Sequence, residues 1–144
     1  MPTVIRQQDL IDSVADALQF ISYYHPVDFI QAVHKAYERE ENKAAKDAMA
    51  QILINSRMCA MGHRPICQDT GIVTVFVTVG MDVQWDAQMS LTDMVNEGVR
   101  RAYNNPDNVL RASILADPDG ARKNTGDNTP AIIHYNIVPG NTVD

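Results

Sequence analysis

Apolar residues recur at Leu10, Ile11, Val14, Leu18 and Ile21 in a polar background. That three-to-four spacing is one face of a helix and predicts one over Asp9–Tyr24. His25-Pro26 breaks the stripe, and a proline suits the first turn of a following helix, with Val27, Ile30, Val33 and Tyr37 along one side. The charged bend EREENK leads into a third helix from about Asn42. Its inner face is expected at Ala45, Met49, Ile52 and Leu53, and Gly62 and Pro65 end it. The N-terminal part, about residues 1–62, reads as three packed helices.

The pattern then changes period. GIVTVFVTVG, residues 71–80, is a β-favouring run between glycines, apolar enough on both faces for a central strand. Ser90 followed by Asp93 has the spacing of a capping box and opens a fourth helix, with Leu91, Met94, Val95 and Val99 facing inward. NNPDN closes it, and VLRASIL is a short extended candidate that carries Arg111. A polar loop, ADPDGARKNTGDNTP, is dense in turn residues. In AIIHYNIV, Ile133, Tyr135 and Ile137 alternate with His134 and Asn136. Helices first, then strands with a helix between, predict an α+β fold in which an N-terminal helical region packs with a small mixed sheet. The expected organisation is a single domain over residues 1–144, helical to about 62 and strand-containing from about 63. Two or three strands are few for a self-sufficient sheet, so this domain is expected to be part of something larger.

Composition narrows the function classes. A chain of 144 residues with 45% hydrophobic and 21% charged residues is long enough and apolar enough to bury a real core. Its formal net charge of −6 lacks the basic face that phosphate neutralisation requires, which argues against nucleic acid as a partner. The same charge repels anions at long range, so an anionic substrate would need local arginines. No basic stretch followed by an apolar run opens the chain, and no segment approaches the ~18 apolar residues of a membrane span. A cytoplasmic, reducing location without a Cys59–Cys67 disulfide is therefore expected.

Few motifs carry chemistry. Cys59, His63 and Cys67 are spaced four and four, but Gly62 and Pro65 interrupt the helix that would align them, and a structural zinc site needs a fourth ligand. His25, His34 and His134 read as structural, at a helix boundary, a helix surface and a strand face. The phosphate-cradling glycine loops, the zincin motif and the Gly-x-Ser-x-Gly elbow are absent. What remains is Cys67-Gln68-Asp69-Thr70-Gly71. A thiolate suits iron–sulfur centres, while an adjacent amide and carboxylate can hold hydrogen bonds and protons. The competing reading is a buried cysteine followed by a turn aspartate. Arg111, in an otherwise apolar run, is either a bidentate carboxylate clamp or an ordinary surface arginine.

Taken together, NSRMCAMGHRPICQDTG, EGVRRAY, NVLRASI, KNTGDNTPA and IVPGNTVD resemble the N-terminal part of class I, iron–sulfur fumarate hydratases, from about Ile5 to the last residue. The alpha subunits of L-tartrate dehydratase share this framework. The resemblance implies a [4Fe-4S] cluster held by three cysteines, whose open iron acts as a Lewis acid on a small dicarboxylate substrate. It implies that Cys67 is the first cluster ligand, that Gln68 and Asp69 approach the substrate with Asp69 transferring protons, and that Arg111 binds a carboxylate.

The family's other two cluster cysteines and a Gly-rich stretch belong to later sequence. The expectation is thus an N-terminal part that is inactive alone and does not hold the cluster by itself. Its partner would be the remainder of the enzyme or a second subunit, in a homo-oligomer when complete. Reversible hydration of fumarate to (S)-malate is the leading activity, with tartrate dehydration, or a non-catalytic assembly domain, as alternatives. The assembly reading predicts that replacing Cys67 or Asp69 leaves turnover intact.

Overall fold

A computed structural model describes residues 3–67 and 71–144. The fold is α+β, and the chain divides into two compact units, one comprising residues 1–18 and 68–144 and the other residues 19–67.

The first unit holds the strands. β1 (Val4–Arg6) pairs in parallel with β3 (Gln84–Asp86), and β2 (Thr74–Gly80) pairs in parallel with β4 (Ile132–Val138), Thr74 opposite Ile132 and Gly80 opposite Val138. The expected mixed character comes from the C-terminal residues. Val143 bridges Val79 in the antiparallel sense, and the Thr78 and Asp144 backbones exchange hydrogen bonds of 2.8 and 2.9 Å. β2 thus has neighbours on both sides, as its apolar run predicts. Gly80 is obligatory there, because a Cβ would lie 2.4 Å from the Gly140 carbonyl oxygen.

α4 (Leu91–Tyr103) covers this sheet. The Ser90 hydroxyl accepts from the Asp93 amide at 3.1 Å, satisfying one of the donors a helix start leaves open. Met94, Val95, Gly98, Val99, Ala102 and Tyr103 form its buried stripe, and Val95, Val99, Ala102 and Tyr103 make the core with Val73 and Leu110. Val14, Ala15 and Leu18 from α1 (Gln7–Tyr23) pack against that core, as do Val75 and Ile133 from the sheet. Burying a valine as fully as Val95 or Val99 contributes about 1.5–3 kcal/mol. Gly98 lets the two helices approach closely. A Cβ there would lie 2.6 Å from the Val14 Cβ and 2.8 Å from the Ile11 carbonyl oxygen.

The second unit pairs α2 (Val27–Arg39) with α3 (Lys43–Gly62). Asn42 caps α3, its side chain accepting from the Ala44 and Ala45 amides at 3.0 and 3.2 Å. His63 ends it in the left-handed region at φ 46°. The expected packing of three helices holds for α2 and α3, whereas the first residues of α1 build the core of the other unit. One expected inner position is corrected: Ile52 is 44% exposed. The buried line of α3 runs instead to Ser56 and Cys59. Among the described residues no helix is long and apolar enough to cross a membrane.

Candidate active-site segments

The segment that delivers Cys67 is fastened by polar and aromatic contacts of the second unit. The Ile66 amide donates to the Ser22 carbonyl at 2.8 Å, and the Asn55 side-chain amide donates to the Ile66 carbonyl at 3.0 Å. The His63 ring stacks on Tyr23 at 4.7 Å, with the Tyr24 hydroxyl 3.4 Å from its Nε2. The buried Cys59 thiol donates to the Pro65 carbonyl at 3.5 Å and so braces the turn, in keeping with its structural reading. Cys67 itself is exposed and forms no disulfide with Cys59. Gln68 and Asp69 lie outside the described residues.

The segment that carries Arg111 belongs to the first unit. VLRASIL, expected as extended structure, forms no strand among the described residues; Leu115 makes a single bridge with Asn124 there. Its backbone is satisfied by the following loop instead. The Asn124 side chain donates to the Ala112 carbonyl at 2.8 Å, the Thr125 amide to the Ile114 carbonyl at 2.9 Å, and the Ala116 amide to the Lys123 carbonyl at 2.8 Å. The Asn128 Oδ1 accepts from the Ser113 amide at 2.6 Å and from Ile114 at 3.3 Å. Leu110 is buried, which sets the exposed Arg111 beside an anchored neighbour.

The other arm of Asn128, Nδ2, donates to the Gly71 carbonyl at 3.1 Å. Gly71 has φ +55°, a conformation glycine adopts without a Cβ penalty. The structure therefore brings the Gly71 end of the Cys-Gln-Asp-Thr-Gly stretch to the Arg111 segment through Asn128. The sequence analysis gives this residue no role, although it lies within the KNTGDNTPA stretch that carries the resemblance.

Charges tie this loop to α4. The Arg100 guanidinium donates to Glu97 at 2.5 Å and to Asp127 at 3.0 Å, and Arg101 donates to Glu97 at 2.9 Å. The Arg101 hydrogen bond, with Arg100, outweighs burial and holds Glu97 below the usual carboxylate range. Burial pushes Asp127 up, but the Thr129 amide and hydroxyl and Arg100 together bring it below its ordinary value. Its two carboxylate partners in turn raise Arg100. The Thr125 hydroxyl is buried without a hydrogen-bond partner among the described residues.

Among the described residues no three His, Cys, Asp or Glu side chains converge as a metal site. A cluster that needs three thiolates does not find its ligand set on these residues; Cys67 is one exposed donor.

A family model described as Fumarate hydratase (Fumerase) matches residues 11–144. The chain belongs to that family. The resemblance carried by its five short stretches is thereby confirmed, and with it membership of a hydro-lyase family. A putative L(+)-tartrate dehydratase subunit alpha from Methanocaldococcus jannaschii is 27% identical over 123 residues, 84% of this chain and 42% of the relative. The chain thus spans less than half the length of that curated relative.

Proposed function

We propose that this fumarate hydratase family chain is the N-terminal domain of a cytoplasmic, [4Fe-4S]-dependent hydro-lyase that reversibly hydrates fumarate to (S)-malate. Cys67 contributes one of the cluster's three thiolates; the others belong to the remainder of the enzyme or a second subunit. Hydration places hydroxide on C2 and a proton on C3, and Asp69 is the group assigned to the proton. Gln68 orients the substrate, and Arg111 neutralises a carboxylate with its planar fork. The family match over residues 11–144 is the observation that carries this reading. Arg111 supports it further, as an exposed arginine on a segment whose backbone is pinned, the arrangement a carboxylate clamp requires.

Tartrate dehydration is the second reading, favoured by the name of the archaeal relative. Anaerobic assay of the complete parent enzyme against fumarate, (S)-malate and L-tartrate separates the two. Turnover of fumarate with iron and sulfide in cluster stoichiometry supports the first. Retention of the cluster in Cys67→Ala would falsify the ligand assignment.

A further inference from the structure

Asn128 is fully buried and has φ 60°, left-handed backbone that asparagine tolerates better than most residues. A buried amide is costly unless both its ends are bonded, and here both are. What it bonds is unusual: not its own turn alone but two other segments, through backbone groups of Ser113 and Ile114 on one side and Gly71 on the other. Both lie outside the named strands: Gly71 precedes β2, and the Arg111 segment is bridged at Leu115 to Asn124. Its own loop is fixed to α4, through Asp127 on Arg100 and through the Ala131 amide, which donates to the Asn96 side chain at 2.9 Å.

We infer that Asn128 is a positioning residue, a clamp that sets the Arg111 segment against the Gly71 end of the Cys-Gln-Asp-Thr-Gly stretch. This rests on the proposed roles of Arg111 and Asp69. Two substrate-handling groups on separate segments work only if their spacing is kept, and a displacement of ~1 Å costs on the order of a hundredfold in rate. The two ends of the amide act on different segments, so substitutions can divide them. Asn128→Asp keeps the shape, tolerates the backbone and still accepts from Ser113 and Ile114, but sets an oxygen against the Gly71 carbonyl. Asn128→Gly keeps the backbone at ease and removes both arms.

In the complete parent enzyme, N128D is expected to lower kcat about tenfold or more with KM changed less than about twofold, because the Arg111 segment stays held. N128G is expected to lower kcat and also raise the dicarboxylate KM about fivefold or more. Folded variants with wild-type kcat and KM, altered only in thermal midpoint, would reduce Asn128 to a structural residue and overturn the inference. In this chain alone, N128G is expected to speed amide exchange at Ser113 and Ile114 about tenfold, with the Val95 and Val99 amides unchanged. Unaltered exchange at Ser113 and Ile114 overturns the clamp itself. A parent enzyme without hydratase or dehydratase turnover overturns the reading beneath it.

Discussion

Glu97 accepts from two arginines, and Asp127 from one arginine and Thr129. Both carboxylates are held below their ordinary values of 4.5 and 3.8. A carboxylate whose folded value is depressed contributes stability that is present above its unfolded value and lost as pH falls through the folded one. The share of stability these two carboxylates contribute should therefore hold from neutrality down to about their unfolded values and be lost as pH falls further, through the folded ones. Glu97→Gln should flatten part of that acid limb, read as midpoint against pH. The effect stays modest because the partner arginines are 46% and 42% exposed. Thr125 carries the opposite expectation. Its hydroxyl is buried and unbonded among the described residues, so Thr125→Val should be neutral or stabilise by up to about 1 kcal/mol in urea unfolding.

Among the elements, the long helices were legible because each carries its own signals. Ser90 and Asn42 mark starts that the structure confirms as side-chain caps, and the α4 stripe from Met94 to Tyr103 is buried where its period places it. β1 and β3 were not legible, since three residues are too few to establish an alternation. VLRASIL misled for a different reason. Its apolar content suits a strand, but its hydrogen bonds go to asparagine side chains far along the chain, which no local pattern encodes. Asn128 escaped notice on the same grounds. Two substitutions test the element-scale account. Gly98→Ala forces a methyl into Val14 and the Ile11 carbonyl and should cost about 1–3 kcal/mol, seen as a lower urea midpoint. Ser90→Ala removes the α4 cap and should cost about 1 kcal/mol.

For the whole molecule, the family was legible in short stretches scattered from Asn55 to Asp144, while the site was legible only by resemblance. On the proposed function, a ligand set shared with sequence outside these residues would leave no spacing pattern within them. Anaerobic reconstitution of this chain with iron and sulfide is expected to yield well below one cluster per chain, and the complete parent enzyme to yield one. Stoichiometric cluster on this chain alone would refute the shared-ligand proposal.

Cys59 and Cys67 differ sharply in surroundings: one is 6% exposed and bonded to Pro65, the other open to solvent. A maleimide added to the native chain should consequently label one sulfur quickly and leave its neighbour protected until α3 opens. The slow second adduct, followed by mass, then becomes an intrinsic clock for local unfolding around the turn that presents Cys67, with no probe engineered in.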